Sequence, residues 1–152
     1  MTVAEILAQH PFTRSLDEAG HTALAGMARL ATYATGEVVF REGASAEGLF
    51  LLARGRVALE QHVHGRGAVQ LENIEAGDLL GLSWAFPGQS WLLTARVVED
   101  CEMVVLGARP LLALMESQPA LGYPLAMALA RQIYGRLERT RLQRLDVYRA
   151  EK

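Results

Sequence analysis

The chain has 152 residues, of which 51% are hydrophobic and 21% charged, and its formal net charge is −2. This composition predicts one ordered globular domain and excludes a disordered segment. No apolar run approaches the roughly 20 residues that cross a bilayer, and the N-terminus lacks the basic start of a secretory signal, so we expect no membrane partner. A single cysteine, Cys101, excludes an internal disulfide and favours a cytoplasmic location.

The charge is distributed unevenly along the chain. Residues 109–152 contain eight Lys or Arg against four Asp or Glu, whereas residues 1–108 contain seven basic and thirteen acidic residues. The C-terminal part therefore has a net charge of +4 and the remainder −6. A basic segment on an acidic body suits a nucleic acid or an acidic partner, although a solvated helix face has the same composition.

The first 30 residues are predicted to form helices. A first helix ends at His10, because Pro11 disfavours helical geometry in the residue before it. We expect Ser15 or Asp17 to cap a second helix. Its apolar residues recur at helical spacing, at Leu16, Ala19, Ala23, Leu24, Met27 and Leu30.

Residues 31–107 have the pattern of a β domain. Short apolar runs alternate with turns that contain glycine, a residue that adopts turn conformations without strain. Near-regular spacing of this kind is typical of a sandwich, a barrel or a roll. We predict about seven strands, in the runs EVVF, LFLLA, VALEQHV, AVQLENI, LLGLSW, WLLTARVV and CEMVVL.

The C-terminal part is predicted to be helical again, with a short helix over residues 108–117 and a long one from about residue 120 to residue 148. Proline is tolerated only in an opening turn, so Pro119 separates the two. The long helix is apolar on more than one side and needs two partners. We expect these to be the β body and the same helix of a second subunit, which gives a homodimer. One stripe contains Leu129, Ile133 and Leu137, continued after a shift by Leu142, Leu145 and Tyr148, and a second edge contains Met127, Tyr134 and Leu137.

Three stretches carry a family resemblance: GEVVFREGASAEGLFLLARGRVALE, the turn EAGDLLG, and QPALGYPLAMALARQIYGRLERTRL. In this order they resemble the cyclic-nucleotide-binding domain of the catabolite-activator (CRP/FNR-type) family. The resemblance covers nearly the whole chain. It implies a mainly β fold with flanking α, a β-roll of the double-stranded β-helix or jelly-roll kind. We therefore expect one domain over residues 1–152, with helices over 1–30, the roll over 31–107 and helices over 108–152.

The family's transcription factors continue beyond the long helix into a helix-turn-helix. This sequence ends at Lys152, which leaves no residues for a recognition helix, so we expect a stand-alone domain without direct DNA binding. The stretches SWAFP and TRLQRLDVY resemble a bacterial group of such lone domains.

The resemblance also locates a phosphate-binding cassette, the segment in which family members bind the nucleotide with Gly-Glu near its start and an Arg followed by a small residue near its end. Here Gly81 takes the place of the glycine and Leu82 that of the glutamate, while Trp91 and Leu92 take the places of the arginine and the small residue. Leucine accepts no hydrogen bond and tryptophan has no charge. A phosphate that lacks its cation loses a charge-assisted pair. Ordinary binding of cAMP or cGMP is therefore not expected.

The remaining cassette side chains suggest a different pocket. Such a pocket suits an uncharged or aromatic ligand, but the same aromatic side chains would also close the site by filling it. A third alternative is a cAMP or cGMP binder in which Arg96 or Arg136 supplies the missing cation. The pocket is expected to contain Leu82, Trp84, Phe86, Trp91 and Leu93, with Ser83, Ser90 and Thr94 as neutral polar groups.

Other chemical motifs are weak. His62 and His64 lie on one face of a strand and, with Glu72, could form part of a metal site, but two exposed histidines explain the pattern better. The acids that flank Cys101 are expected to raise the pKa of its thiol. With no nucleophile motif or paired catalytic carboxylates, we expect a regulatory or sensor domain, which binds a small ligand or a protein partner, rather than an enzyme. No cofactor and no metal are expected.

Overall fold

The computed structural model of the chain describes residues 1–85 and 88–150, except for the side chains of residues 85 and 150. Two short helices come first, α1 at Val3–Gln9 and α2 at Glu18–Ala25. Each has a side-chain cap: Thr2 accepts from the Glu5 N–H, and Asp17 accepts from the Gly20 N–H at 2.8 Å. The predicted break at His10 and the predicted cap at Asp17 are therefore confirmed.

The helical prediction is wrong from Met27 to Leu30. Helix α2 ends at Ala25 with Gly26 as its C-cap, and strand β1 spans Ala28–Tyr33. The reason is long-range pairing, because all six residues of this strand pair antiparallel with the segment 101–106 near the end of the β region. The roll therefore begins at residue 28 instead of residue 31.

The described part of the β region contains six strands instead of the predicted seven. Strands β2 and β5 are short, at Val38–Phe40 and Leu79–Leu80, and β4 spans Gly67–Glu75. Two long strands, β3 at Gly48–Val63 and β6 at Thr94–Gly107, each join two predicted strands into one. Strand β3 bends at Gly55, where φ is +95° and the register to β6 shifts, so this glycine forms a bulge instead of the predicted turn.

Strands β3 and β6 pair antiparallel over most of their length and form the centre of a six-stranded sheet. Their outer neighbours change along the sheet. Beside β6 lies first β1 and then β2, and beside β3, in the same direction, first β5 and then β4. This exchange curls the sheet into the mainly β roll that the resemblance implies.

The sheet separates two hydrophobic cores. Leu49 and Leu51 of β3 pack with the helices on its outer face, while Phe50 and Leu52 point into the roll. Side chains of a strand alternate between faces, so a strand buried on both sides is a continuous apolar run, as in LFLL. We call these two clusters the helix-side core and the roll interior.

The chain closes with helices α3 at Ala108–Ser117 and α4 at Pro119–Ala150. The bounds of α3 agree with its prediction, and α4 extends past both predicted ends. Leu121, Leu125 and Ala128 anchor α4 in the helix-side core. From residue 141 to residue 149 every side chain is exposed, so the last turns of α4 project away from the roll.

Candidate functional site

The ring of Trp91 lies inside the roll, at the position where the resemblance places the phosphate-binding arginine. It stacks on Phe40, with ring centroids 4.0 Å apart and an interplanar angle of 17°, and it meets Phe50 at 6.3 Å. Its backbone N–H donates to the Ala44 carbonyl, and its carbonyl accepts from the Gly43 N–H. Only 6% of Trp91 is exposed, so apolar contacts and backbone bonds together hold it in place.

Gly81 and Trp91, two of the predicted site residues, lie in contact. Gly81 has a φ of +83°, and a Cβ built there would lie 2.7 Å from Cη2 of Trp91 and 2.9 Å from the Gly48 carbonyl oxygen. Only glycine fits both the backbone conformation and this contact. The cassette glycine thus provides the space into which the indole ring packs.

The other predicted lining residues are divided between the two faces of the sheet. Leu82 and Trp84 lie in a 3₁₀ turn at Leu82–Ala85 and pack in the helix-side core, whereas Leu93 packs with Trp91 in the roll interior. Ser83 is half-buried, in the same turn. Phe86 lies outside the described residues. The cassette therefore does not form the single aromatic pocket that the sequence suggested.

The remaining positions near Trp91 face outward or bond to the backbone. Leu92 is 69% exposed. Ser90 forms an isolated bridge with Ser45, and the Thr94 hydroxyl accepts from the Glu42 N–H at 3.0 Å. These contacts tie the end of the cassette to the loop before β3.

A cavity of about 400 Å³ opens beside Trp91. Of the sequence-assigned site residues that the structure describes, it contacts Trp91 alone. Its floor is aromatic, and its mouth contains Arg29, Ser45 and Glu47, none of which was expected there. Its lining consists of Met27, Arg29, Val39, Phe40, Ser45, Glu47, Gly48, Phe50, Trp91, Val105 and Gly107.

A larger cavity, of about 470 Å³, lies between the cassette and the start of α3. It contacts Trp84 and Arg109 instead of Trp91, so it does not share the aromatic floor of the roll interior. The smaller cavity is the one that corresponds to the cassette position, and we refer to it as the Trp91 cavity.

Arg136 does not line the Trp91 cavity. It donates to the Leu79 carbonyl through Nη2, and its Nε lies 3.3 Å from Oε1 of Glu72 without the direction of a hydrogen bond. Burial lowers the pKa of Arg136 below its ordinary value, and the carboxylate of Glu72 opposes that shift. Arg136 therefore joins α4 to the end of β4 and to β5. Arg139 adds a longer ion pair with Asp78, at 3.7 Å.

Arg96 faces away from the roll interior. Its neighbours Ala95 and Val97 are buried in the interior, while its own Nε lies 3.2 Å from Oε1 of Glu60. It is not a cation for the cassette.

The structure also places the residues of the possible metal site and the single cysteine. Glu72, the candidate third ligand beside His62 and His64, pairs with Arg136. Within residues 1–85 and 88–150, no group of three or more His, Cys, Asp or Glu is placed to bind a metal. Burial raises the pKa of the Cys101 thiol, and the carboxylates of Asp100 and Glu99 add to the shift. Of the two acids that flank Cys101 in the sequence, Asp100 acts as predicted.

The sequence model of the cyclic nucleotide-binding domain family matches residues 30–118, more than half of the chain. The chain belongs to the cyclic nucleotide-binding domain family. Membership gives it a regulatory, sensing role. None of the curated proteins matches the chain in sequence. Among the described residues of this cyclic nucleotide-binding domain, no helix is both long and apolar enough to span a bilayer.

Solved structures of cyclic nucleotide-binding domains share its fold. A protein of Geobacter metallireducens GS-15 named for cyclic nucleotide binding is 25% identical, with a TM-score of 0.78 over 90% of this chain and 99% of that chain. A cyclic nucleotide-binding domain from Methylobacillus flagellatus KT is 17% identical, with a TM-score of 0.81 over 95% and 81%. The regulatory domain of Toxoplasma gondii protein kinase A, solved with cAMP, is 21% identical, with a TM-score of 0.63 over 73% and 42%.

Proposed function

We propose that the chain is a regulatory domain that does not bind cyclic nucleotides in the manner of its family, and that it senses a small ligand in the Trp91 cavity. The observation that carries this proposal is the buried indole of Trp91, stacked on Phe40 where the family resemblance places a cation. An apolar ring there offers a cyclic phosphate no charge to pair with.

The alternative cations named from the sequence support a cAMP or cGMP site poorly. Arg96 faces away from the roll interior, and Arg136 already pairs with Glu72 and the Leu79 carbonyl. Binding a phosphate with Arg136 would require both contacts to break, and would leave a largely buried carboxylate without its cation.

A signal could pass from the Trp91 cavity to α4 through a short segment. The Trp91 ring packs on Gly81, which directly follows β5, and the first residue of β5, Leu79, accepts the hydrogen bond from Arg136 on α4. A ligand that moved the indole ring would shift this segment and with it the position of α4. The mechanism requires that the ligand bind one position of α4 more tightly than the other.

Thermal unfolding of the full chain with and without millimolar cAMP or cGMP tests the proposal. We expect no change in the midpoint. A ligand at about 100 times its Kd would add roughly 2.7 kcal/mol of stability, which raises the midpoint of a domain of this size by several degrees. A rise of that size with either nucleotide would contradict the proposal and indicate a displaced cation.

We further propose that α4 forms a homodimer with the α4 of a second copy. Besides the face that packs on the roll, α4 has an exposed stripe that we call the outer stripe: Tyr123, Met127, Ala130, Tyr134, Leu137, Leu145 and Tyr148. From Tyr123 to Leu137 these residues recur every three or four positions, the spacing of a coiled-coil seam, and Leu145 and Tyr148 continue the stripe beyond a gap at Arg141. The tyrosines at 123, 134 and 148 are each more than half exposed, and a second α4 is the partner whose repeat matches. The alternative, a scaffold that docks another protein, would use the same stripe.

A further inference from the structure

The mouth of the Trp91 cavity contains a cation that the sequence did not reveal. Arg29 lies on β1, on the same face of the strand as Ala31, which is buried in the roll interior. Across the sheet, Arg29 pairs in register with Val105 of β6, which pairs with Phe50 of β3. Val105 and Phe50 both line the cavity, and Arg29 lines it with them, at an exposed position beside the aromatic floor.

An acid lies at the same mouth. Glu47 directly precedes β3 and lines the cavity together with Arg29. Within residues 1–85 and 88–150, neither side chain has an ion pair or a side-chain hydrogen bond, and the two do not pair with each other. Both are exposed, so either can contact a ligand without first breaking a contact inside the protein.

We propose that the Trp91 cavity binds a small zwitterion with a flat or bulky apolar body, of the chemical class of the apolar and aromatic amino acids. The guanidinium of Arg29 donates to the carboxylate, the arrangement in which arginine forms paired hydrogen bonds. Glu47 accepts from the ammonium group, and the apolar body packs on Phe40 and Trp91. This inference rests on the proposed function, because it names the ligand of the same cavity.

The balance of charge favours a zwitterion over ligands with one charge. The charges of Arg29 and Glu47 cancel each other. A ligand that has zero net charge but separate positive and negative groups can therefore pair with both side chains. A carboxylate without an amine would bring a negative group beside Glu47, and an amine without a carboxylate would bring a positive group beside Arg29. The cavity volume of about 400 Å³ is within the usual range for small-molecule sites.

Isothermal titration of the full chain with four probes tests the charge requirement. The probes are L-phenylalanine, phenylacetate, which lacks the amine, phenethylamine, which lacks the carboxylate, and benzyl alcohol, which has neither charge. We expect L-phenylalanine to bind, and the three others to bind at least about tenfold more weakly, since each lost charged contact removes about one decade of affinity or more. Equal affinity for all four would overturn the zwitterion proposal.

Two substitutions identify the residues. Arg29→Met should lower the affinity for L-phenylalanine at least about tenfold. Glu47→Gln should also lower the affinity for L-phenylalanine, and should raise the affinity for phenylacetate relative to that for L-phenylalanine. Arg41→Met, an exposed arginine outside the cavity lining, is the matched control and should change neither affinity. Each variant's thermal midpoint shows whether it folds. If folded Arg29→Met and Glu47→Gln proteins bind like the parent, the assignment is wrong.

The outcomes separate this inference from the proposed function. If benzyl alcohol binds and L-phenylalanine does not, the zwitterion proposal is wrong, but a ligand site beside Trp91 is still supported. Stabilisation by cAMP or cGMP would overturn the proposed function itself. If none of the four probes binds at millimolar concentration, the zwitterion proposal is wrong, and the scaffold alternative is favoured.

Discussion

Gly81 and Trp91 illustrate how a single pair of residues can redefine a binding position. The glycine leaves room for the ring, and the ring occupies the space in which the resemblance expects a cation and its phosphate. Both positions were predicted from the sequence alone, through the family resemblance. Which side chains share a core with Trp91 could not be predicted, because that depends on the face of a curled sheet to which each residue points.

Gly81→Ala is expected to lower the free energy of unfolding by roughly 2–5 kcal/mol, from the cost of positive φ together with the overlap between a new Cβ and the Trp91 ring. Denaturant titration measures the loss. Gly36→Ala is the matched control, because Gly36 has a similar φ of +92° but no atom within 4 Å of the position of a Cβ. The control should lose only about 1–2 kcal/mol. Equal losses in the two variants would show that the Trp91 contact is unimportant.

His10 is expected to make stability depend on pH. Its Nδ1 accepts from the Phe12 N–H at 3.1 Å, so the neutral ring carries its proton on Nε2, which donates to the Asp78 carbonyl at 3.1 Å. Burial holds the pKa of His10 below its ordinary value, so the folded state binds fewer protons than the unfolded state as the pH falls. The stabilisation is therefore complete above about pH 6.5, the ordinary value for histidine, and is lost as the pH falls toward the lowered pKa.

The measurement is the free energy of unfolding between pH 8 and pH 5, for the parent and for His10→Gln. The variant should be less stable at pH 8, and its stability should fall less steeply below about pH 6.5. Parallel curves for the two proteins would exclude His10 as the source.

At the scale of elements, the helices were predicted more accurately than the strands. Helix α3 matched its prediction because its apolar spacing and the following proline are local signals. Strand β1 was missed because Met27 and Leu30 fit a helical spacing, and only pairing with β6, far along the chain, decides the outcome. Arg29 was missed together with β1. Its orientation toward the roll interior can be inferred only when residues 28–33 are known to form a strand. The bend at Gly55 was read as a turn, since a glycine bulge and a turn have the same sequence.

Helix α4 is expected to depend on Arg136 for its attachment to the roll. Arg136→Met removes the contacts to Glu72 and the Leu79 carbonyl, and should cost about 1–3 kcal/mol, in line with hydrogen bonds to charged groups. Amide hydrogen exchange should accelerate in α4 beyond Gln132. Arg131→Met, at an exposed arginine without an ion pair within the described part of the chain, should cost less than about 0.5 kcal/mol. If the amide hydrogens of α4 exchange at the same rate in the two variants, Arg136 does not attach this helix to the roll.

For the whole molecule, the outer stripe predicts the oligomeric state. Tyr134→Asp combined with Leu137→Asp should convert a dimer into a monomer, because both charges would be buried in the interface between two α4 helices. Sedimentation equilibrium measures the mass. Val147→Asp is the matched control, since Val147 is 60% exposed but lies off the outer stripe, and this variant should remain dimeric. A parent protein that is monomeric at high concentration would contradict the homodimer and leave the stripe to a different protein.

The division of the molecule by its sheet also has an optical consequence. The two tryptophans of the chain lie on opposite faces, Trp84 in the helix-side core and Trp91 in the roll interior. Their indole fluorescence therefore reports separately on the packing of the helices and on the state of the roll, without an added dye. Replacing either with Phe leaves one emitter in one compartment. If α4 and its neighbours separate from the roll before the roll itself unfolds, the emission of Trp84 will shift to longer wavelength while that of Trp91 is still unchanged.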